Sequence, residues 1–417
     1  LQTKIDEFTS VTSLNISCNQ ISGLPLQFFN LTNLTVLKSH QNQLKNLLPE
    51  IYKLRQLEIL WLHQNKLRSL PSTIGQLDRV RQMTLEDNML EALPTHFIFL
   101  TSLKEIRLQN NPYLSPPKDI AKLSSLRRLD LSVNNLEFVP ATMGRLIDLS
   151  SLNLRQNNIQ SLPDTFSDLM NLRILVLTYN QISQLPQSFS KVSSLWELEL
   201  SYNNLRDVSD SFRSMARLKR INLNSNRLLT IPKTLSLCLE LETLTATSNQ
   251  LKIIPSNLLK FPAMKEINLS QNLLETVPPS IQAMVSLRVL NLESNNLKVF
   301  DEKICFLNML ESVNLSRNFI RCIPSEVQSL TNLTMLDISQ NHLSAIAPEI
   351  RFLTRLRHLL LADNSLKFFP PFPPCFSPVL GLMENLRELD LGRNQLSALP
   401  LDLSRCSNLQ SIKLQSN

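Results

Sequence analysis

Five histidines, six cysteines and two tryptophans are the residues of this 417-residue chain best suited to special chemistry. Acid–base or nucleophilic catalysis would need a histidine set beside a carboxylate or a nucleophile. His40, His63, His96, His342 and His358 do not combine with nearby carboxylates into such a set. A metal site would need several ligands at fixed short spacings. Cys18 falls near His40, but no ligand spacing completes the pair. Phosphate chemistry would call for a glycine-rich loop, yet the chain has five glycines and no G-K-[ST]. It has no G-x-S-x-G and no H-E-x-x-H either. The residues argue for a non-enzymatic chain with no cofactor and no metal, one that works by contact.

Contact chemistry has better candidates. Lys38, His40, Trp61 and His63 join cationic and aromatic groups, with Val36 and Ile59 beside them. Ile174, Val176, Tyr179, Trp196, Glu197, Glu199 and Tyr202 form a second set that is aromatic, apolar and acidic together. Arg81, Lys104, Arg127, Arg173, Lys219, Lys265, Arg288, Arg357 and Arg387 form a basic column. A tryptophan flanked by apolar and cationic groups has the make-up of a binding hot spot.

A repeat positions all of them. Asparagines recur every 23 residues from Asn19 to Asn364, among them Asn42, Asn65, Asn88, Asn111, Asn134, Asn157, Asn180, Asn203 and Asn226. A step of 30 leads to Asn394, and Asn417 ends the chain. A fixed period of this length marks a solenoid, in which each repeat buries its apolar side against its neighbours. Residues 149–163, LSSLNLRQNNIQSLP, show the unit. The alternation around Leu152 and Leu154 reads as a short strand with one buried face. Beyond Pro163, the spacing of Phe166, Leu169 and Leu172 suits a short helical or 3-10 return. The asparagine amide offers both a donor and an acceptor to backbone groups at the turn. With so few glycines, asparagine is also the expected left-handed turn residue.

The wording L-P-x-x-I-x-x-L-x-x-L-x-x-L-x-L-x-x-N-x-L resembles the leucine-rich repeat family, in its intracellular 23-residue Ras-group and Ras-suppressor-like subclass. The resemblance implies an α/β fold: a right-handed horseshoe solenoid with parallel strands on the concave face and short helical or 3-10 segments on the convex face. It also implies protein recognition on the concave face, with a Ras-like small GTPase or a phosphatase as partner in intracellular signalling. Alternatives are a regulatory or targeting arm of a kinase, phosphatase or cyclase, and an extracellular pattern-recognition receptor.

The 1–417 span reads as one solenoid of about 18 repeats, opening on a partial repeat at 1–10 and ending on a ladder asparagine. These ends suggest a piece of a longer chain. A Phe/Pro-rich insertion, 370–376, interrupts the period and is expected to bulge out as polyproline, with P-x-x-P spacings that suit adaptor grooves. The proline slot holds Ser209, Asp301 and Ala347, and a strand leucine is replaced by Ser39 and Ala246. Lys303 to Phe306 resembles a phosphatase docking motif, although Ile304 falls in a buried slot.

Net charge is +7, too little over this length to argue for nucleic acid. No run is apolar enough for membrane insertion, and the scattered cysteines favour a reducing, cytoplasmic setting. Positions two and four before each asparagine should face outward from the sheet. Trp61 is then an exposed ring stacked on Lys38, and His63 lies on His40, about 5 Å away.

Overall fold

The computed structural model describes all residues except 1–7, 9, 113, 115–119, 209–210, 257–260, 368–382 and 398–405. The Phe/Pro-rich insertion, Ser209 and most of the opening partial repeat lie outside the described residues. The chain divides into two compact units, Leu1–Asn204 with Asp210–Met215, and Leu205–Ser209 with Ala216–Asn417.

The first unit contains β1 (Ser13–Asn15), β2 (Val36–Lys38), β3 (Ile59–Trp61), β4 (Gln82–Thr84), β5 (Glu105–Arg107), β6 (Arg128–Asp130), β7 (Ser151–Asn153), β8 (Ile174–Val176) and β9 (Glu197–Glu199). Each strand pairs in parallel with the next, equivalent residues opposite one another: Leu37 meets Leu60, and Lys38 meets Trp61. The second unit repeats this from β10 (Arg220–Asn222) to β18 (Ser411–Lys413), by way of β15 (Met335–Asp337), β16 (His358–Leu360) and β17 (Glu388–Asp390). The strands are three residues long because only one residue of each, the central leucine or its equivalent, faces the core. Leu60, Leu152 and Leu175 are fully buried, and their two neighbours are half-buried.

The return is a single 3-10 turn. In one repeat it spans Asp164–Asp168, opened by Pro163 in extended backbone. Proline fits there because its fixed φ suits an entry position and its missing N–H is not required. Phe166 N–H donates to Pro163 O at 3.0 Å and Leu169 N–H to Phe166 O at 3.2 Å. Phe166, Leu169 and Leu172 thereby enter the core with no exposure. Asp301, standing where proline is usual, opens its turn in another way: its carboxylate accepts from Lys303 N–H at 2.8 Å. This is an N-cap interaction.

The asparagines tie repeat to repeat. Asn157 Nδ2 donates to Leu154 O and Arg155 O of its own turn and to Leu131 O of the preceding repeat, all within 3.2 Å. Its Oδ1 accepts from Leu136 N–H at 3.0 Å, also in the preceding repeat. Asn42, Asn65, Asn88, Asn180 and Asn203 do the same. Asn134 differs on the acceptor side, taking Asn111 N–H at 2.8 Å. Asn226 accepts from Leu205 N–H at 3.0 Å.

One expectation fails. The left-handed residue of each turn is the one before the asparagine. Among the described residues, eighteen non-glycine residues have φ between 52° and 60°, from Cys18 and Gln41 through Val133, Tyr179 and Tyr202 to Ser416. The asparagine needs ordinary backbone geometry to aim its amide inward, so the reversal falls one residue earlier. The substituted strand positions stay buried: Ser39 is inaccessible, its hydroxyl unpartnered, and Ala246 is equally buried.

Candidate recognition surface

The first cluster forms on the exposed face of β2 and β3 and the turns that follow them. Lys38 and Trp61 occupy matched positions, and the ammonium lies 4.2 Å from the indole centroid. His40 and His63 stack with ring centroids 4.3 Å apart and planes 14° apart. His40 also meets Trp61 edge-on at 5.7 Å. Four side chains from two adjacent repeats thus make one continuous contact. Trp61, expected to be exposed, is half-buried under these neighbours. Its Nε1 and the Nδ1 of His40 are buried and have no hydrogen-bond partner among the described residues.

The cluster extends further than the sequence reading placed it. His63 Nδ1 lies 2.8 Å from Thr84 Oγ1 and 3.8 Å from Glu86 Oε1. Glu86 is buried with Oε2 unpartnered, and in the next repeat Gln109 Oε1 is likewise unpartnered. Glu86 and Gln109 occupy the histidine column, two residues before Asn88 and Asn111. That register was the available signal, but acidic and amide side chains are ordinary occupants of a solvated sheet face.

Burial sets the charge states here. Burial, with the Lys38 ammonium alongside, pushes the His40 pKa below its ordinary value. Burial and the His40 ring do the same to His63. Burial raises the carboxyl of Glu86 above its ordinary value, opposed by a backbone hydrogen bond and Arg107. Cys18 is not drawn toward His40 by its thiol, which donates to Gln41 Oε1 at 2.7 Å.

The second cluster divides in two. Tyr179 and Tyr202 stack at 4.1 Å with planes 12° apart, and the Arg155 guanidinium lies 5.6 Å from the Tyr179 ring. These rings are 43% and 48% exposed, in the left-handed positions that follow β8 and β9. Trp196 lies at the opposite end of β9, its N–H bonded to Arg173 O at 3.0 Å. It belongs to the basic column, not with the tyrosines. Ile174, Val176, Glu197 and Glu199 are the half-buried strand residues in between, paired Ile174 with Glu197 and Val176 with Glu199. The hydrogen bond with Tyr202 raises the pKa of Tyr179.

The basic column is partly neutralised. In the first unit Arg81 pairs with Glu58 at 3.7 Å. In the second, Lys219, Lys265 and Arg288 pair with Glu240, Glu242 and Glu311 at 4.0, 2.7 and 3.1 Å. Lys104, Arg127, Arg173, Arg357 and Arg387 have no ion pair among the described residues. Lys303 to Phe306 is no free strand: Ile304 and Cys305 are buried within a 3-10 turn.

Comparisons with known proteins agree with this architecture. Residues 147–205, 240–297 and 308–366 match the family described as leucine rich repeat, and 385–406 match a second family of that description. No curated protein matched the chain. Among solved structures, a leucine-rich-repeat protein of Leptospira interrogans is similar over 98% of this chain and 97% of its own, with TM-score 0.80 and 27% identity. The plant peptide hormone receptor RGFR1, solved in complex with RGF2, gives TM-score 0.70 at 25% identity over 98% of this chain and 79% of its own. The ectodomain of the Arabidopsis thaliana receptor kinase GASSHO1/SCHENGEN3 gives 0.56 at 27% identity, over 99% and 57%. Matched segments, ladder and parallel strands together show a leucine-rich-repeat fold.

Proposed function

We propose that the chain is a non-catalytic scaffold that captures another protein on the exposed face of its first-unit sheet, centred on Lys38, His40, Trp61 and His63. One observation carries this reading. Four aromatic and cationic side chains from adjacent repeats are packed together there, while polar atoms of His40 and Trp61 have no hydrogen-bond partner among the described residues. Buried polar groups are nearly always satisfied, and a bound partner that reorders these side chains would supply what is missing. The rigid rings lose little entropy on binding, which suits a hot spot. Tyr179 and Tyr202 provide a second aromatic contact on the same unit.

The resemblance to Ras-group repeats supports a small GTPase or a phosphatase as partner, in the cytoplasm. The scattered cysteines, with no closely spaced pairs, accord with a reducing compartment. The complex of RGFR1 with RGF2 supports protein or peptide binding more broadly. In pull-downs from the native cell, Trp61→Ala with His63→Ala is expected to reduce partner capture at least tenfold while Tm stays nearly constant. Undiminished capture by a folded double variant would dismiss this surface. Enrichment of neither a GTPase nor a phosphatase by the wild-type chain would dismiss that partner class.

A further inference from the structure

The second unit carries a groove that the sheet-face reading does not use. It encloses about 500 Å³ along the basic column, lined by Glu311, Asn332, Thr334, Arg355, Arg357 and Asn385. Elsewhere in the second unit's part of this column a cation faces a carboxylate one repeat away, as Lys265 faces Glu242 and Arg288 faces Glu311. The pattern breaks at Arg357. Its column neighbours are Thr334 and Arg387, bonded to it only through the backbone. Arg357 and Arg387 are both exposed, and neither has an ion pair among the described residues. Residues 368–382 contain no Asp or Glu that could serve.

The other polar groups of the groove are already engaged. Asn332 Nδ2 donates to Asn308 O at 2.7 Å, and this fixes its Oδ1 to accept one Arg355 N–H at 2.6 Å. Asn385 Nδ2 donates to Thr354 O at 2.8 Å, and Thr334 Oγ1 donates to Glu311 O at 2.8 Å. The Glu311 carboxylate is held by Arg288. Unspent capacity therefore rests with guanidinium donors and positive charge. Arginine presents a planar fork that grips paired oxygens bidentately. Two guanidiniums in the groove and a third just before β17 exceed what one carboxylate neutralises. A phosphate monoester, with charge of about −1.5 to −2 and three acceptor oxygens, matches them.

We infer that this groove binds the phosphorylated side chain of a protein partner, with Arg355 and Arg357 gripping the phosphate and Arg387 adding charge at its margin. The probe is a degenerate peptide library with neutral flanks, carrying phosphoserine, unmodified serine or glutamate at its centre. Binding to the whole chain is read by fluorescence anisotropy at physiological salt. The phosphoserine library is expected to bind at least tenfold more tightly than the other two. Arg355→Gln with Arg357→Gln is expected to abolish that preference with Tm unchanged, and Arg387→Gln to weaken it severalfold. Lys265→Gln, on the same edge but paired with Glu242, is expected to leave it intact. Equal binding of the glutamate library, a preference that survives in the double variant, or an equal loss in Lys265→Gln would each overturn the assignment. The sheet-face reading is tested at other residues, so either can fail alone.

Discussion

At the scale of single residues, the left-handed position before each asparagine is the least legible feature of the sequence. Its occupants include Cys18, Gln41, Asp87, Val133, Tyr179, Ser225 and Arg317, and no residue type marks it. Sequence logic gives the left-handed turn to the asparagine, whose own conformation is instead dictated by its inward bonds. Val133 pays most for the arrangement, since a β-branched residue at φ 55° is a true outlier. Left-handed backbone costs an L-residue about 1–2 kcal/mol, which asparagine tolerates better. Val133→Asn is therefore expected to stabilise the fold by about 1 kcal/mol, read as a higher urea midpoint with an unchanged slope. A lower midpoint would show that Val133 contributes packing that outweighs its strain. The burial of Trp61 was illegible for a related reason. Alternation places its side chain on the outer face, but the length of Lys38 and the rings of His40 and His63 decide how much of it water reaches.

At the scale of the repeat, the fold was legible because periodicity carries it: leucine at the strand centre, asparagine at the turn and proline at the return each recur on a fixed count. Asn180 shows what the turn requires. Nδ2 donates to Leu154 O and Leu177 O at 2.9 and 3.0 Å, and Oδ1 accepts from Ile159 N–H at 3.1 Å. Asn180→Leu would orphan the buried Ile159 N–H, at about 1–3 kcal/mol, while Leu154 O and Leu177 O keep the amides of Asn157 and Asn203 as donors. A loss of about 1–3 kcal/mol is expected in denaturant titration, and an unaltered curve would contradict the ladder's energetic role. The histidine column makes a second prediction. His40 and His63 have pKa values below the ordinary 6.5, so the unfolded chain takes up protons first as pH falls. Stability is then lost from about pH 7 downward through 6.5. Glu86 acts in the opposite sense: held above its ordinary 4.5, it protonates first in the folded state and regains stability before pH 4.5 is reached. Groups facing these sites include Lys38, Asp87, Arg107 and Asp130. Tm measured across pH is expected to fall between pH 7 and 6 in the wild type, and less so in His40→Gln with His63→Gln. Glu86→Gln should raise Tm at pH 8 and lose that advantage by pH 4.5. Parallel curves for all three proteins would overturn this account.

At the scale of the whole chain, the sequence is explicit about what repeats and nearly silent about what is recognised. The core depends on positions that are the same in every repeat, so many copies report the same constraint. Recognition depends on outward positions that differ from repeat to repeat. Each is seen once, and nothing in its own repeat says whether it is used. The first cluster was legible because two consecutive repeats both departed from small polar residues. The arginine groove was not, because arginine on a solenoid edge is ordinary. It stands out only when the ion pairs of the second unit are known and Arg355 and Arg357 are found lining a groove whose carboxylate is already held.

The asparagine bonds also have a direction. Each amide closes its own turn and otherwise reaches back: Asn180 to Leu154 and Ile159, Asn341 to Leu315 and Ile320. None of these ladder contacts requires a repeat that comes later in the chain. A ribosome makes protein in that same order, so when an asparagine emerges, the turn it must join is already outside. Within each unit the array can be completed behind the growing end one copy at a time, with no need for a distant segment to arrive and no long interval in which a finished strand waits uncovered. What serves the mature molecule as a row of turn braces serves the nascent chain as a sequence of latches, each closing on the one before it.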